Sequence, residues 1–166
     1  MMNNLLTAMF VVAAAWATYT DLKHRRIANW LTFGAAGAAL AARLVMGGPP
    51  ALLDGVEGWL AGVGILLIPF VLGWMGAGDV KLLGAFGALG GVDFVVQSAL
   101  YGCILGGILA VAFLIREKKL WFVLSNLFIY IRHPLGSVLE AKRRMPFGPA
   151  LAAGAALSMV IARGAA

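Results

Sequence analysis

The chain is short of almost everything a soluble protein puts on its surface. Only 12% of its 166 residues are Asp, Glu, Lys or Arg, against about 25% in ordinary soluble domains. With 62% hydrophobic residues and a mean hydropathy of +0.93, it carries more apolar surface than one core can hide. An all-α, polytopic membrane protein is expected. Cysteine occurs once, at Cys103, which excludes an internal disulfide framework and a paired-cysteine metal site. Set in Tyr101-Gly102-Cys103-Ile104, it reads as a small core residue rather than a nucleophile. The two histidines, His24 and His133, lack a second ligand at metal spacing, so no metal or other cofactor is expected. No Lys or Arg precedes Lys23. That argues against a cleavable signal peptide, and the first apolar segment is read as a retained helix.

What is present falls into a pattern of apolar segments divided by short basic runs. The net charge of +6 is spread over those runs, which suits membrane orientation and not a nucleic-acid surface. Spans are expected at about 4–20, 27–46, 56–75, 80–91, 94–115 and 146–161, six in all. The fourth is short and draws on its flanks to cross. Pro69 is expected to kink the third. Gly47-Gly48-Pro49-Pro50 marks a loop between the second and third. Residues 120–131 are apolar but too few to cross at about 1.5 Å per residue, so an interfacial or re-entrant helix is expected there.

Counting Lys and Arg orients the chain. Lys23, Arg25, Arg26, Lys81, Arg116, Lys118, Lys119, Arg132, Lys142, Arg143 and Arg144 fall on one side, which is then cytoplasmic. Arg43 and Arg163 fall on the other. Gly58/Gly62, Gly87/Gly91 and Gly102/Gly106 are small-xxx-small pairs suited to close helix packing. No repeat or low-complexity tail divides the chain, so residues 1–166 are read as one membrane-embedded domain.

The stretch Gly76-Ala77-Gly78-Asp79-Val80-Lys81 sets a carboxylate at the edge of an apolar region. Such an acid is costly and points to function. There are seven acids: Asp21, Asp54, Glu57, Asp79, Asp93, Glu117 and Glu140. Asp54, Glu57 and Asp93 belong to the outer side, and Glu117 and Glu140 sit in basic, solvated runs where surface ion pairing explains them. Asp21 and Asp79 remain, at similar depth on the cytoplasmic side. Two carboxylates that meet cannot both ionise cheaply, so one holds a proton while the other activates water, the chemistry of an aspartic protease. Other readings stay open: Asp21 as a juxtamembrane polar residue, and Asp79 as the cation or proton site of a small transporter. Gly76 and Gly78 offer space for a substrate backbone. Lys81 is read as snorkelling to the interface or touching the acids.

The motifs resemble those of the type IV prepilin peptidases. Asp21-Leu22-Lys23-His24-Arg25-Arg26-Ile27-Ala28-Asn29 with Leu31-Thr32 is similar to the family's first aspartate motif. Gly76-Ala77-Gly78-Asp79 with Val80-Lys81-Leu82 resembles its GxGD motif. Met145-Pro146-Phe147-Gly148-Pro149 is similar to a stretch near its last helix. The resemblance implies six transmembrane helices and a membrane aspartic endopeptidase with catalytic Asp21 and Asp79. It would remove the basic leader of prepilins or pseudopilins, usually after a glycine, at the cytoplasmic face of the bacterial inner membrane. Pro146, Phe147 and Gly148 are then expected to shape the site's mouth or to start the last helix. The family often has proline where this chain has Ala28. The cytoplasmic domain of bifunctional members is not expected, since few residues precede Asp21. The chain looks like the short form of the Flp/Tad pilus systems, without N-methylation. A GxGD intramembrane protease with other substrates is the alternative within the same chemistry.

Overall fold

The computed structural model describes residues 3–24, 27–73, 75–116, 118, 121 and 147–164. The described part is all-helical: α1 Asn4–His24, α2 Asn29–Val71, α3 Ala77–Arg116 and α4 Gly148–Gly164. The first three are long and apolar enough to cross a membrane, while α4 is a shorter apolar helix. The helix expected over 120–131 lies outside the described residues, as does Pro146.

Two of the helices are far longer than a bilayer requires. At about 1.5 Å per residue, 43 residues would reach roughly 65 Å, twice the hydrocarbon thickness. Each is broken once, at a glycine with positive φ. Gly48 in α2 has φ 66° and Gly91 in α3 has φ 82°, backbone that glycine adopts without a side-chain penalty. At Gly48 the chain doubles back, because a side chain added at Gly55 would meet Leu40 and Arg43. The expected Gly47–Pro50 loop is therefore a single-residue break. Pro49 and Pro50 belong to the helix that follows, where proline's missing N–H costs nothing in a first turn. At Gly91, Phe86 and Phe94 lie on opposite sides of the break yet both pack edge-on against Phe10, at 5.0 and 5.7 Å. Pro69 lies inside the second half of α2 with helical dihedrals. Six spans remain an expectation, whereas three membrane-length helices, two of them folded back, are what the described residues display.

The first half of α3 is the centre of the fold. From Asp79 to Leu89 every residue is buried except the half-buried Lys81. This half is only about 21 Å long by its 14 residues, too short to cross alone, but it is wrapped by protein. Glycines make the wrapping possible. Gly58 of α2 meets Gly87 of α3 backbone to backbone, and Gly62 meets Leu83 and Gly84. Gly102 of α3 likewise meets Gly154 of α4. These are the close approaches that small residues permit in a membrane. Outward faces are apolar too: Val11, Val12, Trp16, Tyr19 and Leu22 of α1 are exposed, as expected where the surroundings are lipid. Cys103 is among the exposed residues. It is not in the core, because the inward face of that part of α3 is taken by Gly102 and Gly106.

Candidate active site

Asp21 sits in the last turn of α1, at the end of a buried stripe. Leu6, Phe10, Ala13, Ala17 and Asp21 recur at intervals of three and four residues, one face of a helix. The face that packs four apolar side chains therefore carries the carboxylate inward as well. Asp21 is 6% exposed, and its Oδ2 accepts a 2.9 Å hydrogen bond from the backbone N–H of Gly148. Gly148 is the first residue of α4. The first turn of a helix leaves N–H groups without internal partners, and one of these is spent on Asp21. Behind it, the carbonyl of Phe147 accepts from the N–H groups of Ala150 and Leu151 at 3.0 and 3.1 Å, closing the turn.

Asp79 sits in the first turn of α3, within the helix and not ahead of it. Its Oδ2 accepts from the backbone N–H of Gly76 at 3.2 Å, and its own N–H donates to the Gly76 carbonyl at 3.2 Å. An acid reaching back three residues to cap the helix start is half of a capping box. Asp79 is 9% exposed, so this carboxylate, like Asp21, is nearly removed from solvent.

Ile27, just after the last turn of α1, joins the two. A side chain at Gly78 would come within 3.1 Å of Ile27 Cβ, and one at Gly148 within 3.2 Å of Ile27 Cδ1 and 2.8 Å of Asp21 Oδ2. The aspartate-bearing ends of α1 and α3 and the start of α4 thus converge on one isoleucine. The sequence reading passed over Ile27. Its signal is local: the one β-branched residue in the run Asp21 to Asn29, directly after Arg25-Arg26.

The other expected site residues divide. Gly76, Gly78 and Gly148 are all in the cluster. Lys81 turns away: its Nζ donates to Asn29 Oδ1 at 3.0 Å and lies 5.1 Å from the centre of the Phe33 ring. It ties the start of α3 to the start of α2. Phe147 packs its ring over Gly106 of α3, so it anchors α4 while its neighbour caps Asp21. Among the described residues, no three His, Cys, Asp or Glu side chains converge as a metal site would require.

A second polar cluster was missed, at the other end of the helices. Arg43 is only 8% exposed. It pairs with Asp54 and donates to the carbonyls of Leu89, at 2.9 Å, and Ala51, at 3.3 Å. Its Nε has no hydrogen-bond partner among the described residues. Arg43, which the Lys and Arg count places on the side opposite the basic runs, is thus a buried cation neutralised by the half-exposed Asp54. Asp54 also lies against Gly91, so this pair links the breaks of α2 and α3.

An all-helical membrane protein with two shielded carboxylates at converging helix ends is the class that this geometry defines. The family model of the type IV leader peptidases matches residues 8–111, well over half of the chain and including both Asp21 and Asp79. The chain belongs to the type IV leader peptidase family. No curated protein and no solved structure matches it.

Proposed function

We propose that this protein is a membrane aspartic endopeptidase that removes the basic leader from prepilins or pseudopilins. It would act as a single membrane-embedded domain of six spans in the bacterial inner membrane, with Asp21 and Asp79 at the cytoplasmic boundary. The observation that carries this reading is the shielding of both acids at helix ends that meet over Ile27. A transporter reading asks for one acid on a path; it gives no role to a second, buried acid held by the N–H of Gly148.

In this reading the two carboxylates share one proton. The charged one takes a proton from water as the water oxygen attacks the scissile carbonyl carbon, and the protonated one donates to the carbonyl oxygen. The diol intermediate then collapses: the protonated carboxylate gives its proton to the leaving nitrogen as the C–N bond breaks, one hydroxyl of the diol gives its proton to the charged carboxylate, and the dyad again holds one proton. The products are a leader with a new carboxylate and a mature chain with a new amino terminus. Which aspartate is acid and which is base belongs to the pair as a unit. Gly148 fixes the rotamer of Asp21, and Gly76 that of Asp79, so each oxygen is oriented before substrate arrives.

The test is cleavage in membranes. The protein is co-expressed with a candidate prepilin and the size shift is followed beside Asp21→Asn and Asp79→Asn, with membrane levels matched. Each replacement is expected to reduce cleavage at least ~100-fold, the scale of general acid–base catalysis. Cleavage that survives either replacement would rule out the aspartic mechanism.

A further inference from the structure

Between α1 and the first half of α2 lies an open cavity of about 390 Å³, lined by Ala8, Met9, Val12, Ala13, Leu31 and Gly34 among others, almost wholly apolar. Its size falls within the ~300–1,000 Å³ range of pockets that hold ligands. One of its walls is a glycine without an internal reason. Gly58, Gly87 and Gly154 each face another backbone, but no described atom lies within 4 Å of a side chain added at Gly34 or Gly37. A glycine inside a helix costs about 1 kcal/mol relative to alanine. Gly34 with Ala38, and Gly37 with Ala41, repeat at four-residue spacing on an exposed face. In a membrane that spacing admits a second helix at close range.

The position of the groove selects the occupant. At its site end Trp30 packs edge-on against Trp16 at 6.1 Å, Trp16 neighbours Tyr19, and Lys23 Nζ lies 5.4 Å from the Tyr19 ring centre. Trp, Tyr and Lys in one belt mark a membrane–water boundary. The groove lies on the apolar side of that belt, and Asp21 lies at the level of the belt itself, between Tyr19 and Lys23 along α1. From Ala13 to Asp21 is eight residues of helix, about 12 Å, a gap that a few extended residues span. Trp30 also adjoins Asn29, which holds Lys81 two residues beyond Asp79.

We infer that the groove between α1 and α2 seats the apolar helix that follows the scissile bond of the substrate, holding the bond at Asp21 and Asp79. This rests on the endopeptidase reading above and adds to it a second binding surface, at hydrocarbon depth. Substrates would be selected there by small or slender residues on the helix face that meets Gly34.

Two probes separate this inference from the activity it builds on: a leader-site protein with an apolar helix of about twenty residues, and the same leader site without the helix. The parent is expected to cleave the first with the higher kcat/KM. Gly34→Leu, which fills the groove, should lower the ratio of the two kcat/KM values at least fivefold, whereas Val111→Leu, on an exposed face of α3, keeps the parental ratio. In an Asp79→Asn background, a photo-crosslinking residue at Val12 should capture the helix-bearing probe, and one at the exposed Ile108 should not. An unchanged ratio for Gly34→Leu, or capture at Val12 of only lipid, a second copy or this chain's own residues, overturns the groove. If the parent cleaves neither probe, the endopeptidase reading itself fails and takes this inference with it.

Discussion

The backbone N–H of Gly148 and the Oδ2 of Asp21 are hydrogen-bonded at 2.9 Å across 127 residues of sequence. The bond makes the start of α4 part of the candidate site, and it makes the absence of a side chain at 148 a requirement. A methyl group there would sit 2.8 Å from the same oxygen, closer than carbon and oxygen tolerate. Gly148→Ala is expected to push Asp21 out of register and reduce cleavage ten- to a hundredfold, since small displacements of a reacting group carry costs of that order. Assaying the variant at matched membrane levels checks this. Parental activity would show that the bond does not position Asp21.

Asp79 has two jobs in this geometry, and they can be separated. Asparagine keeps an oxygen that can accept from the Gly76 N–H, whereas alanine removes it. Asp79→Asn and Asp79→Ala are therefore expected to be equally inactive but unequal in stability. The alanine variant should be less stable by about 1 kcal/mol, the usual worth of a helix cap. Thermal unfolding of both in detergent checks the difference, and equal midpoints would remove the capping role.

Features that depend on neighbouring residues were legible before the structure. The two acids lie at helix ends and the glycines of 58/62 and 102/106 at helix contacts, as expected, because helix period and segment ends are local signals. Features that depend on distant partners were not. Nothing near Gly148 announces that its N–H is aimed at α1. Nothing in Leu40 to Val45 announces that Arg43 is buried, because its acid lies across the break at Gly48. A hint was available: an arginine inside an apolar segment needs a counter-charge, and Asp54 follows within the same hairpin. The break at Gly48 was read as a loop because two prolines suggested one, although proline suits a helix's first turn equally well.

The Arg43–Asp54 pair should behave as a clasp for the two helix breaks. Arg43 is buried while the Asp54 side chain is about half exposed, so the two partners are not equivalent. Asp54→Asn leaves a buried guanidinium without its counter-charge, a loss put at about 3–5 kcal/mol for fully buried pairs. Exposure of the aspartate should reduce that to about 1–3 kcal/mol. Arg43→Met removes the buried charge itself but also the bonds to Leu89 and Ala51. The double variant should be more stable than the sum of the single losses predicts, as expected of a direct pair. Unfolding measurements on the four proteins give the coupling, and strict additivity would show that the contact is energetically idle.

The glycines of α2 provide a contrast within a single helix. Gly58 lies against the Gly87 carbonyl with no room for a methyl group, whereas a side chain at Gly64 would meet no described atom within 4 Å. Gly58→Ala must therefore separate the backbones of α2 and α3. That shift loosens the packing around the buried stretch from Val80 to Leu89, at the head of which Asp79 stands. A loss of about 2 kcal/mol or more is expected, the scale of overpacking in a tight core, with reduced cleavage. Gly64→Ala should go the other way and gain up to about 1 kcal/mol, because alanine restricts the unfolded chain and favours helix. Opposite shifts in unfolding midpoint for the two variants are the expected result. A matching loss at Gly64 would mean that its face is packed by a partner, since the described residues leave it open.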